Sequence, residues 1–533
     1  METLKLKDDP KGIKTAAELL KKGGIVAIPT ETVYGLAASA FDDEAIKKVF
    51  IAKGRPQDNP LIVHIADFGN IENIVSEFPE KAKELAHRFW PGPLTMVLPK
   101  SKRIAESVSG GLDTVAVRMP ENEVAREIIR ESGLPLAAPS ANLSGSPSPT
   151  KSEDVIADLD GRIDAVVCSG HSDVGVESTV VTLVTNPPRL LRPGRVTAEE
   201  LREIIPDLLI DKAVLSGLEK SEKAASPGMK YKHYSPKTEV YLVEAESDAF
   251  CRFVNSKEDS AAICFSEDAP KINRKTLSIG ASDNEEEQAR LIFERLRESD
   301  ALGVKTVYVH APKKSGIGLA VYNRLIRAAG FKVIKPKFIV GLTGPTGSGK
   351  TTACRIAEDN GFYVVNCDKT ARKATENEEC LSQLCSVFGE DIIKSDGTLD
   401  RAALAEKAFA TPEKTELLNK TIFPFITKLI ETEINSSDRG KILLDAPTLF
   451  ESGADSLCDA IIVVTADLDL RLHRIMKRDS IGREAAMLRI NAGKTDDFYK
   501  TKVEHIIYNN GDEENFISEF QKIIDLVGGK DHE

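Results

Sequence analysis

A glycine-rich turn constrains this chain more than any other feature. Residues 338–351 read Phe-Ile-Val-Gly-Leu-Thr-Gly-Pro-Thr-Gly-Ser-Gly-Lys-Thr. The apolar run 338–342 predicts a short buried strand, and 352–358 predicts a helix. The turn between them fits G-x-x-x-x-G-K-[ST] without mismatch. Strand, glycine-rich turn and helix form the context of a phosphate-binding loop. Glycines let successive backbone N–H groups face phosphate oxygens, a lysine adds a point charge, and a hydroxyl suits a magnesium ion. The expected nucleotide contacts are Gly344, Thr346, Gly347, Ser348, Gly349, Lys350, Thr351 and Thr352, with Thr351 as metal ligand. A fold built on such a loop normally starts with this strand, yet more than 300 residues precede it.

Those residues call for further domains. A chain of 533 residues suggests three to four. Its 41% hydrophobic and 29% charged residues are those of a globular protein, and no apolar run reaches the roughly 18 residues of a membrane span. Residues 1–10 are charged and lack a signal-peptide core, so a cytoplasmic protein is expected. The eight cysteines form no C-x-x-C pair, and His473 and His505 have no cysteine at ligand spacing. This argues against a zinc site and a disulfide framework. A net charge of −12 is unlike a strongly basic nucleic-acid binder. It leaves a local basic groove, and so direct tRNA contact, undecided.

The first block, residues 1–215, alternates helices and strands with polar groups at strand ends, where ligands bind in α/β folds. A helix over 12–22 and a strand over 25–28 lead into Pro-Thr30-Glu31-Thr32-Val-Tyr34-Gly. A helix over 45–52 precedes Lys53-Gly-Arg55-Pro. On extended backbone Lys53 and Arg55 face the same side, which suits an anion or a solvated loop. His64 sits in an apolar strand, and Arg118 near the end of an alternating one. Residues 136–150, Leu-Ala-Ala-Pro-Ser-Ala-Asn-Leu-Ser-Gly-Ser-Pro-Ser-Pro-Thr, read either as a linker or as a rigid hydroxyl-rich loop. Ser178 and Arg192 follow at further strand ends.

Taken in order, P-T-E-T-V-Y-G, K-G-R-P, the strand histidine, A-V-R-M-P, P-S-A-N-x-S-G-x-x-S-P-T, E-S-T-V-V and L-R-P-G resemble the threonylcarbamoyl-AMP synthase family across residues 12–200. The resemblance implies a YrdC-like α/β twisted-sheet domain. It also implies formation of L-threonylcarbamoyladenylate from L-threonine, bicarbonate and ATP with release of diphosphate. The product would pass to tRNA-modifying proteins for N6-threonylcarbamoyladenosine. By resemblance, Lys53 and Arg55 supply transition-state charge, and Arg55, Asn59, Thr114, Ser140, Asn142, Ser148 and Arg192 meet ATP. Thr32, His64, Arg118, Ala138 and Ser178 surround threonine. No nucleophile stands out, so no covalent enzyme intermediate is expected.

Residues 211–225 are polar and rich in Lys and Glu, which predicts an exposed helix or tether. Ser226-Pro-Gly-Met-Lys-Tyr231-Lys-His-Tyr234-Ser-Pro236 is non-helical. It reads as a plain linker, or, by resemblance to the long form of the synthase family, as a lid (216–236) whose Tyr231 and Tyr234 touch the nucleotide. Residues 237–335 predict a small Rossmann-like α/β domain. Ser315-Gly-Ile-Gly at the start of its last helix fits anion binding or simple capping.

The last block, 338–533, adds a strand over 363–368 that ends in Asp368, and a buried strand at 441–445 that ends in polar residues. Arg471, Arg474 and Arg478 recur at i, i+3 and i+7, on one helix face. G-L-T-G-x-x-G-S-G-K-T-T, D-G-x-L-x-R-x-x-L, L-L-D-A-P-x-L-F-E, R-x-x-R-D and Y-N-N-G resemble dephospho-CoA kinase. This implies a P-loop kinase domain with a parallel sheet that phosphorylates the 3′-hydroxyl of dephospho-CoA, the last step of CoA biosynthesis. Asp368 would be its base, Arg478 and then Arg483 its lid cations, and Mg²⁺ would accompany ATP at both sites. Three residues depart from the family: Asn366 replaces the first carboxylate of D-x-D, Phe423-Pro424 replaces H-P, and Gly493 replaces a glutamine. The expectation is therefore a cytoplasmic bifunctional enzyme. The alternative is an RNA-binding module fused to a degenerate nucleotide-binding regulator.

Overall fold

The computed structural model describes residues 2–216 and 234–528, and Tyr231 lies outside them. The chain divides into two compact units, Met1–Lys335 and Pro336–Glu533. Each is α/β. No helix among the described residues is long and apolar enough to cross a membrane.

The first unit holds two sheets. The larger has eleven strands of mixed direction. Its centre runs Gly35–Ser39, Leu136–Ala137, Ile62–His64, Thr114–Arg118, Leu94–Pro99, Thr179–Thr182 and Arg189–Arg192. These strands are short and nearly all buried, since helices cover them and the apolar core fills both faces. Pairing decides which residues meet. His64 stands opposite Arg118 on one side and Leu136 on the other, and Thr95 stands opposite both Arg118 and Val180. Groups from distant parts of the chain thus come to one edge of the sheet.

The second sheet of this unit has five parallel strands in the order Lys275–Ser278, Ser260–Cys264, Thr306–His310, Glu239–Val243 and Val333–Ile334. The helix Gly318–Ala328 packs with every residue buried. Ahead of it, the Gly318 N–H donates to Glu285 Oε2 at 2.9 Å. The helix start is therefore capped by the chain's own carboxylate. The expected tether is exposed at Lys212, Leu215 and Ser216, but not throughout. Residues Lys212–Val214 form a short helical turn that buries Ala213 and Val214, because Asn323 and Arg327 donate to their carbonyls at 2.6 and 2.7 Å.

The second unit is a five-stranded parallel sheet ordered Tyr363–Asn366, Lys441–Asp445, Phe338–Thr343, Ala460–Thr465 and His505–Tyr508. Asp445 pairs with Leu342 on one side and Asn366 on the other, just before the glycine-rich turn. One expectation is corrected here. The strand ends at Asn366, and Asp368 lies in the first turn of the helix Cys367–Ala374. The cause is local, since the Asn366 side chain accepts from the Lys369 N–H at 3.0 Å and caps that helix.

Candidate active sites

In the first unit the strand ends line an open cleft where polar and charged groups converge among apolar side chains, as in small-molecule sites. Thr32, His64, Arg118, Ala138 and Ser178, the expected threonine set, all line it, as do Lys53, Arg55, Ser140, Asn142, Arg192 and Tyr234. Asn59, Thr114 and Ser148 lie outside this lining. Thr114 pairs with Pro99 at the end of its strand remote from Arg118. Ser148 Oγ reaches the cleft indirectly, by donating to Glu177 Oε1 at 2.5 Å.

Lys53 is not on extended backbone. The helix Asp43–Lys53 runs through it because Ala45, Ile46, Val49, Phe50 and Ala52 continue its apolar stripe, and Gly54 closes it in the left-handed conformation (φ 60°). The buried Lys53 ammonium donates to the Ser140 carbonyl and, at 2.6 Å, to that of Asn142, with Asn142 Oδ1 at 3.4 Å. Ser140 Oγ donates to the same Oδ1 at 2.5 Å. The hydroxyl-rich stretch is thus a pinned loop, which decides against the linker reading.

Arg118 and Glu31 form a buried pair at 2.6 Å, with 4% and 5% of their side chains exposed. The contact is ionic without the alignment of a hydrogen bond, for neither Glu31 oxygen has a hydrogen-bond partner among the described residues. Arg118 also donates to Thr32 Oγ1 at 2.8 Å and to the Gly92 carbonyl at 3.3 Å. Arg192 donates to the Ser178 carbonyl and hydroxyl at 2.9 and 3.1 Å, and Ser178 meets Thr95 Oγ1 at 2.7 Å.

The electrostatics are one-sided. Burial, followed by the neighbouring Arg55 charge, holds the Lys53 ammonium well below its usual range. Burial lowers both Arg55 and Arg192 to about 10. Burial, with Arg118 adding to it, drops His64 to about 3, so this imidazole is neutral. Glu177 is the one acid among the described residues that line the cleft. Lys53, Arg55 and Arg192, buried and facing one carboxylate, are poorly compensated, and Arg55 Nε and Asn59 Oδ1 are buried without hydrogen-bond partners among the described residues. A polyanion entering the cleft would supply what they lack.

In the second unit the glycine-rich turn has no room for side chains at two positions. A Cβ at Gly344 (φ 141°) would stand 2.0 Å from the Val464 carbonyl oxygen, and one at Gly349 (φ 108°) 2.2 Å from Asn509 Nδ2. The helix Lys350–Asp359 follows at once. Lys350 Nζ folds back to the Gly344 and Pro345 carbonyls at 2.7 and 3.3 Å. Ser348 Oγ is buried without a partner, and Thr351 is exposed. Asn366 Nδ2 donates to Asp445 Oδ2 at 3.0 Å, while Asp445 Oδ1 is buried without a hydrogen bond. Burial raises the Asp445 carboxyl, with Lys350 opposing and Asp368 adding to the shift. Burial lowers Lys350, opposed by Asp445 and Asp368. Lys350, Asp368 and Asp445 therefore share one site.

The arginine face is redistributed. Arg471 Nε donates to the Thr346 carbonyl at 3.2 Å, and Arg474 reaches those of Gly347 and Ser348 at 3.5 and 3.4 Å. Arg478, one turn further along the helix Leu468–Asp479, is exposed and pairs with Asp479 at 2.7 Å. Arg483 is exposed at the start of the helix Arg483–Asn491. Phe423 is partly buried in the apolar layer beneath the sheet, and Gly493 is exposed. Neither Asp445 nor Asn509 is among the site residues expected from sequence. Asp445 was signalled by an acid closing a buried strand, whereas Asn509, which donates to the Ser348 carbonyl at 2.8 Å, had only the Y-N-N-G motif.

Comparison with known proteins agrees with this geometry. A Sua5/YciO/YrdC family model described as telomere recombination matches residues 18–194. One described as threonylcarbamoyl-AMP synthase, C-terminal domain, matches 196–330, and one described as dephospho-CoA kinase matches 338–515. The threonylcarbamoyl-AMP synthase of Pyrococcus abyssi is 45% identical over 332 residues, 61% of this chain and 95% of the relative. The dephospho-CoA kinase of Fusobacterium nucleatum is 34% identical over 190 residues, 36% of this chain and 98% of the relative. The crystal structure of P. abyssi Sua5 complexed with L-threonine has a TM-score of 0.57 at 42% identity, and covers 63% of this chain and 99% of that one. The chain belongs to the threonylcarbamoyl-AMP synthase family over its first two thirds and to the dephospho-CoA kinase family over its last third.

Proposed function

We propose that this polypeptide carries two ATP-consuming activities at separate sites. One forms L-threonylcarbamoyladenylate from L-threonine, bicarbonate and ATP. The other phosphorylates the 3′-hydroxyl of dephospho-CoA. The observation that carries the first is the cluster of buried, under-compensated cations Lys53, Arg55 and Arg192 beside the pocket of Thr32, His64 and Arg118.

In the synthase, Arg118, held by Glu31, Thr32 and Gly92, is positioned for a carboxylate such as that of threonine. The carboxylated amine of threonine attacks the α-phosphorus of ATP, and diphosphate leaves. Charge then grows on phosphoryl oxygens, which Arg55 and Arg192 meet in a water-poor cleft. Lys53 holds the Ser140–Asn142 loop in place for that step. Neutral His64 fits against threonine without adding charge. We assign Asn59, Thr114, Ser148 and Tyr234 to the nucleotide side.

In the kinase, backbone N–H groups of residues 344–351 and Lys350 cradle the phosphates. Exposed Asp368 accepts the proton of the acceptor hydroxyl, and Arg471 and Arg474 hold the loop. The orphaned Asp445 oxygen and the Thr351 hydroxyl suit Mg²⁺. Among the described residues no cluster of three or more His, Cys, Asp or Glu could hold a metal. An ion carried on the ATP phosphates would neutralise charge on the transferred group. We place Arg478 and Arg483 in a lid that meets ATP only after Arg478 leaves Asp479.

We place the protein in the cytoplasm, where the adenylate would pass to tRNA-modifying proteins. The test is diphosphate release from ATP by the full chain. It should require both threonine and bicarbonate and be lost in Arg55→Ala. Release that ignores either co-substrate overturns the synthase reading.

A further inference from the structure

The small parallel-sheet domain of the first unit grips the acid of the synthase cleft through Arg324. Arg324, on the helix Gly318–Ala328, is 0% exposed. Its Nε donates to Glu177 Oε2 at 2.9 Å, Nη2 to the Glu177 carbonyl at 3.1 Å, and Nη1 to the Pro193 carbonyl at 2.6 Å. One guanidinium thus ties the two segments that carry Ser178 and Arg192. Glu177 is the acid of the cleft, and its other oxygen accepts from Ser148 Oγ. Burial would raise the Glu177 carboxyl, but Arg324 and Arg192 outweigh it and hold it below the usual range. The same domain grips the hydroxyl-rich loop a second time. Arg297 donates to the Pro147 carbonyl at 2.5 Å and pairs with Asp158 at 2.9 Å, and the Ser235 N–H donates to the Gly145 carbonyl at 2.8 Å.

We infer that Arg324 is a positioning residue for ATP in the synthase reaction, acting through Glu177 on Ser148 and Arg192. The inference rests on the proposed synthase activity. It gives the small domain a function: the nucleotide side of the cleft is completed by a residue that the catalytic sheet does not contain. An appended domain would meet its neighbour through exposed rim contacts. A fully buried arginine whose fork is filled by a carboxylate, backbone carbonyls and the Asn323 amide oxygen instead fixes geometry. Of the threonine set Ser178 shares this tie, while Arg118 and Thr32 are held separately with Glu31, so KM for ATP should respond more than KM for threonine.

The experiment measures KM for ATP and for threonine in threonine-dependent diphosphate release by the full chain, in Arg324→Lys, Arg324→Met and Glu177→Gln. Folding of the unit is followed by the fluorescence of Trp90, the single tryptophan. Loss of a charged hydrogen bond should raise KM for ATP about 10-fold or more. KM for threonine should stay within about twofold, and Arg324→Met combined with Glu177→Gln should add little to either alone. An ATP KM that does not move in a folded variant overturns the inference. So does a rise in both KM values together, or full additivity of the pair. If Arg324→Met does not fold, the near-isosteric Glu177→Gln decides alone. A wild-type chain without threonine-dependent release would instead overturn the synthase reading itself.

Discussion

Replacing Glu31 by glutamine tests how the threonine pocket is held. The carboxylate lies 2.6 Å from Arg118, and both side chains are almost wholly buried. Glutamine keeps the shape and removes the charge, which leaves a buried guanidinium with only Thr32 and Gly92 as partners. Breaking a buried ion pair from one side costs about 3–5 kcal/mol, and the retained amide oxygen favours the lower end. About 3 kcal/mol is a large share of typical domain stability but leaves the unit folded. With a urea slope of about 3 kcal/mol/M, the midpoint should fall by about 1 M. Trp90 reads this directly, because its own loop contains Gly92 and its Nε1 donates to the Leu94 carbonyl at 2.7 Å. KM for threonine should rise in the same variant while KM for ATP holds. A midpoint loss below about 0.3 M, or about 1 kcal/mol at that slope, with an unchanged threonine KM would refute the claim that this pair organises the pocket.

Two further outcomes follow from the sites. His64 is lowered to about 3 in the folded chain, so between pH 6.5 and 3 the unfolded chain binds the extra proton. Its contribution is complete above pH 6.5 and is lost as pH falls, by about 2 kcal/mol between pH 6.5 and 5. Trp90 urea midpoints against pH should show that slope, and His64→Asn should flatten it. In the kinase, Asn366→Asp removes the donor to Asp445 and sets a third carboxylate near Asp445 and Asp368. Calorimetry should show the kinase transition destabilised by about 1–3 kcal/mol without nucleotide and largely restored by Mg·ATP.

How far the sequence foretold these sites depended on how local each signal was. The phosphate-binding loop is contiguous, and two of its glycines are demanded by contacts that admit no Cβ, so it was plain. The cleft gathers Thr32, His64, Arg118, Ala138 and Ser178, the proposed threonine pocket, through strand order, which no spacing rule reveals. Family resemblance named them, and the register shows how they converge. Lys53 was misplaced because the K-G-R-P string suggested a loop, whereas the preceding helix runs one residue further and ends on Lys53. Asp368 moved from strand to helix for a related reason, since Asn366 is a good helix cap. The arginine face was right in periodicity, but it is Arg471 and Arg474 that reach the loop carbonyls. Glu177 and Arg324 lie 147 residues apart, and nothing local in either segment marks them as partners.

The central claim is that two independent ATP sites operate in one chain. The most direct measurement follows diphosphate release with threonine and bicarbonate, and ADP formation with dephospho-CoA, on the same preparations of wild type, Arg55→Ala and Lys350→Ala. The wild type should perform both reactions. Arg55→Ala should lose diphosphate release and keep ADP formation, and Lys350→Ala should do the reverse. A substitution that abolishes both reactions, or a folded wild type that lacks either one, contradicts the account.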